Sequence, residues 1–231
     1  MKPYYEEDGI TIYHGDCREI LPQIQADVLI SDPPYGMAYK SGWSDSDVRG
    51  DSDTVSRDVA LAAWKGPALV FGRWSCSRPA STKHVLIWNK GDWPGMGDLS
   101  MPWGPSWEEI YVIGAGFIGK RTGSILHYPQ RPTGAEGYHP TEKPVSLMSA
   151  LIKATPEEWV ILNPFMGSGS TLEAAKKLGR KATGIECEEK YCKIATARLR
   201  QSCFQFSDLM GTAMRDADEY VEQQLLAEAN D

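Results

Sequence analysis
Three short stretches of the chain carry side chains that can do chemistry. Asp32-Pro33-Pro34-Tyr35 sets a carboxylate and an aromatic ring on either side of two prolines. The prolines forbid helix and remove two backbone donors, so the loop is stiff and rich in acceptors. Asn163-Pro164-Phe165-Met166-Gly167-Ser168-Gly169-Ser170 follows an apolar run, Trp159 to Leu162, and precedes a helical pattern. A strand that runs through a glycine turn into a helix makes a cofactor cradle. Gly167 and Gly169 remove Cβ atoms where a ligand approaches the backbone, and the helix start presents free N–H groups. Ser170 with Glu173 fits a capping box, and Gly179 fits the helix stop. Taken alone, such a turn serves many nucleotides and cofactors, or is merely a tight structural turn. Glu186 ends the next strand about twenty residues after the glycines, where a carboxylate can accept from ribose hydroxyls. His139-Pro140-Thr141-Glu142-Lys143-Pro144 is the third stretch, and a helix follows it.

These residues need elements to position them. Strands are expected at Ile10–Tyr13, Val28–Ile30, Ala68–Phe71, His84–Trp88, Glu109–Ile113, around Leu162, and at Lys181–Glu186. Cys17 to Leu21 reads as a helical turn closed by Pro22, and Val59 to Trp64 as a helix. After Pro144, the spacing of Leu147, Ala150, Leu151 and Ala154 predicts one buried helical stripe. Tyr191, Ile194, Ala195 and Leu199 mark a last amphipathic helix. Lys40 to Arg57 is polar and reads as a mobile loop, and Gly91 to Trp107 as an irregular surface segment. Gly114-Ala115-Gly116-Phe117-Ile118-Gly119-Lys120 imitates a nucleotide loop by letter. Arg121 stands where a magnesium-binding Ser or Thr belongs, and Gly123 and Pro129 leave no room for the helix such a loop requires. A bent strand end leading into a basic loop (Lys120, Arg121, Arg131) is the better reading.

Composition narrows the class. No apolar run is long enough to span a membrane, and the first residues lack an apolar signal region, so a cytoplasmic protein is the expectation. The five cysteines form no C-x-x-C pair, which argues against a disulfide frame or a zinc site, and no metal is expected. The formal net charge of −7 looks wrong for a nucleic-acid protein. Most of it is local. Between Phe204 and Asp231 seven acids face Arg215 alone. The rest of the chain is near neutrality, and one basic face suffices to hold DNA.

Together, in this order, the three stretches resemble the signature motifs of the amino DNA methyltransferases. Their order, catalytic loop before cofactor loop, is similar to the permuted β class of that family, over roughly Ile10 to Arg200. The resemblance implies an α/β fold: a Rossmann-like, seven-stranded and mostly parallel sheet with helices on both faces and one antiparallel edge strand. It implies a single catalytic domain over residues 1–203, with small target-recognition insertions at about 40–57 and 91–131. Residues 204–231 would be an acidic C-terminal extension. It implies S-adenosylmethionine as cofactor and double-stranded DNA as substrate, with DNA methylation of the restriction-modification kind. Asp32, Pro33, Pro34 and Tyr35 match the catalytic loop. Asn163, Phe165, Gly167, Ser168 and Gly169 match the cofactor turn, with Asp32 beside it. Glu186 matches the ribose ligand, and Asp16 the acceptor from the cofactor's adenine amine. Thr141 and Lys143 match the loop over its methionine end. His139 reads as loop-fixing.

The chemistry implied is methyl transfer to an exocyclic amine. That amine is a poor nucleophile, because its lone pair is delocalised into the ring. Asp32 and the Pro33 carbonyl would accept its hydrogens and free the lone pair. The base would be flipped out of the duplex and stacked on Tyr35, a contact worth about 1–3 kcal/mol. No Pro-Cys pair exists, so the cysteine route to C5 of cytosine lacks its nucleophile.

Two departures from the family pattern stand out. Asn163 replaces the usual Asp, which predicts weaker holding of the methionine ammonium. The insertions are short, so the target sequence is short or a homodimer completes the grip. Asp before Pro-Pro-Tyr favours adenine N6. Cytosine N4, an RNA or protein-glutamine substrate, and a silent DNA- or cofactor-binding protein are the alternatives.

Overall fold
Val28, Leu29 and Ile30 are all fully shielded from water, and their side chains split between two cores. Val28 and Ile30 join one apolar cluster and Leu29 another. The alternation repeats in Leu69 and Phe71 against Ala68 and Val70, and in Ile161 against Leu162. Side chains of a strand alternate between faces, so these runs build a sheet covered on both sides.

The computed structural model describes residues 1–34, 54–91, 100–130 and 142–201. Nine strands form one sheet. They are β1 (Tyr5–Glu7), β2 (Ile10–His14), β3 (Val28–Ser31), β4 (Ala68–Gly72), β5 (Thr82–Asn89), β6 (Trp107–Ile113), β7 (Ile125–His127), β8 (Ile161–Asn163) and β9 (Ala182–Glu186). Their order is β1-β2-β9-β8-β3-β4-β6-β5-β7. Strands β2, β9, β8, β3 and β4 run parallel, and β6 is antiparallel to both β4 and β5.

Helices lie on both faces. Helix α1 (Cys17–Ile20), the 3-10 turn Leu21–Gln23 and α2 (Val55–Ala63) supply Cys17, Ile20, Leu21 and Ala60 to one side. Helices α3 (Val145–Lys153) and α4 (Ser170–Lys177) and a helix over 189–201, here α5, cover the other. Each fully buried Val, Leu or Ile contributes about 1.5–3 kcal/mol. Arg180 ties the end of α3 to the sheet: its guanidinium donates to the carbonyls of Ile152, Thr155, Pro156 and Trp159. A cation at a helix C-terminus also suits the helix dipole. No helix among the described residues is long and apolar enough to cross a membrane.

The expected α/β fold is present, with differences. The sheet has nine strands rather than seven, because three-residue strands β1 and β7 extend its edges. Antiparallel pairing occurs inside the sheet, at β6, as well as at the β1 edge. Helix α2 starts at Val55, inside the segment read as a loop. Pro22 sits within the 3-10 turn rather than after it. The capping box is absent. Gly169, at φ 86°, is the N-cap of α4, Ser170 is already helical, and Glu173 makes ion pairs instead. The stripe of α3 buries Leu147, Met148, Leu151 and Ile152, one step round from the alanines expected. Residues 35–53, 92–99, 131–141 and 202–231, which hold most of the first proposed insertion, a smaller part of the second and the whole acidic extension, lie outside the described residues.

Candidate active site
Five parallel strands end on one edge of the sheet, and the chemical residues gather there. His14 of β2 is level with Glu186 of β9, and Asn163 of β8 with Gly184. Asp32 directly follows β3. Antiparallel β6 begins at the same edge, since Glu109 pairs with Gly72, the last residue of β4. Asn89, at the end of β5, pairs with Trp107. This registry delivers Asp16, Glu186, Asn163, Asp32, Glu108 and Lys90 to one rim.

The glycine turn is held from below by Glu186. Its carboxylate accepts from the Gly167 N–H at 3.0 Å and the Glu188 N–H at 2.8 Å. Burial pushes its pKa above the ordinary carboxylate range, and the two N–H bonds only partly offset this. The Met166 N–H donates to the Ile185 carbonyl, which pins the turn to β9. Gly167 and Gly169 both have positive φ, 52° and 86°. At Gly169 a Cβ would also stand 2.9 Å from the Ala195 Cβ of α5, whereas at Gly167 it would meet nothing. Gly169→Ala is therefore expected to lower the unfolding free energy by roughly 2–3 kcal/mol in urea titrations, combining left-handed strain with overpacking. Gly179→Ala, strained at φ 65° but with open space around its Cβ, should cost about 1–2 kcal/mol. Equal losses would show that Ala195 yields freely.

Asn163 is buried, and its amide serves the protein. Its oxygen accepts from Ser31 Oγ at 2.8 Å and from the Phe165 N–H at 3.1 Å, and its nitrogen donates to Thr171 Oγ1 at 2.8 Å. These bonds tie β3, the turn and α4 together. Ser168 is buried within the same turn, and Phe165 packs against the apolar cluster of α1 and α2. Asp16 caps α1, accepting from the Arg18 N–H at 2.9 Å, and takes the Arg18 guanidinium as well.

Asp32 is engaged by the third motif. The Lys143 ammonium lies 2.5 Å from Asp32 Oδ2 and 3.2 Å from Glu108 Oε2. Glu108 Oε1 in turn lies 2.5 Å from Lys90. The Phe71 and Trp88 rings face the Lys143 ammonium at 5.1 and 5.7 Å. Burial alone would lower the Lys143 pKa, but Asp32 and Glu108 outweigh it and hold it above the usual lysine value. Pro33 is buried and Pro34 half-buried. Tyr35, His139 and Thr141 lie outside the described residues, as does Arg131, while Lys120 and Arg121 are exposed.

The structure thus brings Asp32, Lys143 and the glycine turn to one rim, and adds Glu108 and Lys90, which the sequence reading passed over. Glu108 is the second residue of β6, ahead of its apolar run, and only its place beside the end of β4 gives it a role. No cluster of three or more His, Cys, Asp or Glu able to hold a metal occurs among the described residues. Cys17, Cys76, Cys187 and Cys192 are reduced thiols outside any disulfide. Burial pushes Cys17 up to about 11 and Cys192 to about 12, so neither is a nucleophile at neutral pH.

Residues 63–197, from the end of α2 into α5, match the profile of the N6/N4 DNA methylases. The chain belongs to this DNA methylase family. S-adenosylmethionine is the family's methyl donor. The methylase is 29% identical to the type II methyltransferase M2.LlaDCHI of Lactococcus lactis subsp. cremoris, over 87% of this chain and 93% of that protein. It is 26% identical to the type II methyltransferase M.ScaI of Streptomyces caespitosus, over 86% and 84%. In three dimensions it resembles M1.HpyAVI in complex with SAM, with a TM-score of 0.60 and 24% identity, over 82% of this chain and 100% of that one. The cytosine-N4-specific PvuII DNA methyltransferase gives a TM-score of 0.65 at 14% identity, over 85% and 88%. The cradle fits a nucleoside cofactor. It offers positive-φ glycines at a helix start, and a buried carboxylate whose desolvation a ribose hydroxyl pair would offset.

Proposed function
We propose that this methylase transfers a methyl group from S-adenosylmethionine to the N6 amine of an adenine flipped out of double-stranded DNA. The observation that carries the reading is the Asp32 carboxylate, anchored by a buried lysine on the same rim as the Gly167–Glu186 cradle. When bound, the cofactor supplies an electrophilic methyl group. Asp32 and the Pro33 carbonyl accept the two amine hydrogens and draw the nitrogen toward tetrahedral geometry. A carboxylate has about four lone-pair sites, so it can serve a lysine and an amine together. The work is positioning and electrostatics rather than covalent catalysis. Tyr35 follows in the chain and would stack on the extruded base.

Glu186 would take the ribose hydroxyls, and Asp16 the adenine amine of the cofactor. Phe165, Gly167, Ser168 and Gly169 would shape the cofactor's bed, with Thr141 closing the methionine end and Lys143, its ammonium committed to Asp32 and Glu108, anchoring that loop. Asn163 would act by fixing the turn's backbone, since its amide is already committed to Ser31, Phe165 and Thr171. Asp rather than Ser at position 32 supports adenine over cytosine. The decisive experiment incubates the protein with methyl-labelled S-adenosylmethionine and unmethylated DNA, digests the DNA, and separates the nucleosides. Label in N6-methyladenine is expected. Label in N4-methylcytosine would keep the mechanism and overturn the base assignment. Cofactor binding with no label in a broad panel of DNA would overturn the DNA reaction itself.

A further inference from the structure
The four charges Asp32, Lys143, Glu108 and Lys90 form a chain of alternating sign that runs from the reacting rim into the sheet. Only its first member faces the proposed amine. Lys143 is a single ammonium shared by two carboxylates, at 2.5 Å from Asp32 and 3.2 Å from Glu108. Its side chain is 7% exposed and that of Glu108 16%, so water screens neither well. An ammonium has three donors and follows its strongest acceptor. Without a second anion it would give its full charge to Asp32, and the carboxylate would be a poorer acceptor for a neutral amine.

We propose that Glu108 is a positioning residue for methyl transfer: it holds the Lys143 ammonium between two carboxylates, so that Asp32 is fixed in place yet keeps its acceptor strength for the target amine. This rests on the amine-methylating role given to Asp32 above. Lys90 completes the arrangement by occupying the second oxygen of Glu108, which stops that carboxylate from turning away. The rings of Phe71 on β4 and Trp88 on β5 lie beside the same ammonium. Among the described residues, Lys143 faces Asp32 after β3, Glu108 near the start of β6 and the two rings, with Lys90 one step behind Glu108.

Charge accounting gives the test. In Glu108→Gln the side chain keeps its size and one acceptor oxygen, but the carboxylate charge that Lys143 and Lys90 both face is gone, and Lys143 is left to Asp32. Burial, which already works to lower the Lys143 pKa, loses one of its two counterweights. Lys143 must then deprotonate at a lower pH than in the wild type. Two readouts follow. The first is the pH profile of single-turnover methyl transfer to DNA. Its alkaline limb should move down by about one unit or more, and the neutral-pH rate should fall about tenfold with cofactor affinity unchanged. The second is competitive acetylation of Lys143 against pH, read by mass spectrometry, which needs no DNA. Its midpoint should fall in parallel. Glu108→Asp, which restores the charge, should recover the midpoint in part.

A loss of activity with both limb and midpoint unmoved would reduce Glu108 to a structural residue and overturn the proposal. So would full activity in Glu108→Gln. A wild type that labels no DNA is a different failure: it removes the reaction assigned to Asp32, and with it the role given to Glu108, whatever the acetylation midpoints are.

Discussion
Asp32→Asn should lower the rate of methyl transfer by about 10²–10³-fold or more while leaving cofactor affinity within a few-fold. The substitution keeps the shape of the side chain and removes its charge. An amide has one acceptor oxygen. If that oxygen faces the Lys143 ammonium, the NH2 group confronts the substrate amine donor to donor. If it turns the other way, two donors meet at Lys143. Neither orientation serves both partners, as a carboxylate can. The fold should survive, because Lys143 keeps Glu108, and the loss of stability should stay below the roughly 3–5 kcal/mol of a fully broken buried pair. Linkage gives the sign of the pH effect. The Lys143 pKa is raised in the folded state, so its contribution to stability is complete below the ordinary lysine value of 10.5 and fades as pH rises through the folded value. In Asp32→Asn that fading should begin at lower pH. Single-turnover rates beside calorimetric titration of the cofactor separate the two effects. A variant that kept more than a tenth of the wild-type rate would remove Asp32 from the reaction.

What the sequence disclosed follows from how each feature is encoded. Val28–Ile30 and Ala68–Phe71 are runs of apolar residues buried on both faces, and such runs announce themselves. The glycine turn was legible because positive φ at Gly167 and Gly169 restricts the residue type. Glu186 followed from the length of a strand–helix–strand unit. The edge strands were not legible. Tyr5–Glu7 buries only its first residue and carries two acids, so nothing in its composition says strand, and pairing with β2 makes it one. Ile125–His127 is exposed at both ends and only half-buried at Leu126, and it exists because β5 offers an edge. The capping box failed for a related reason: Gly169 can adopt the left-handed cap itself, which frees Glu173 for a cation on another helix. Lys143 was legible as a motif residue but its partner was not. Distances between residues 108 and 143 are a property of the sheet order, in which β6 runs backwards beside β4 and so brings its first residues to the rim that carries Asp32.

The same reasoning applies to Arg198, a charge on the buried face of α5 that helical periodicity hides. Of the stripe expected from the sequence, Ala195 and Leu199 are buried and Tyr191 and Ile194 only half-buried, while Cys192 and Arg198 are buried beside them. Its guanidinium pairs with Glu173 in the first turn of α4, reaches Ser170 at 3.3 Å, and lies 2.6 Å from Glu142. It therefore fastens α4 to the residue just before Lys143. Arg198→Met keeps the length and the apolar stem but leaves two carboxylates without their shared cation. Glu173 retains Lys177 at 2.6 Å, which softens the loss but does not remove it. Breaking such a pair costs roughly 3–5 kcal/mol, which lowers the melting temperature by on the order of 10 °C. The deficit should depend on pH. Burial works to raise the Glu173 pKa, but Lys177 and Arg198 outweigh it and hold it below the ordinary value of 4.5. That depressed pKa contributes stability above pH 4.5 and loses it as pH falls through the folded value. In Arg198→Met the depression is weakened, so wild type and variant should converge as pH drops below about 4.5. Adding Glu173→Gln to Arg198→Met should recover part of the loss at pH 7, since it removes the stranded charge. Denaturant titrations of wild type, Arg198→Met and the double variant from about pH 7 down to about pH 3 check this. A gap between wild type and Arg198→Met that held constant over that range would mean that Arg198 acts through packing of its stem and not through its charge.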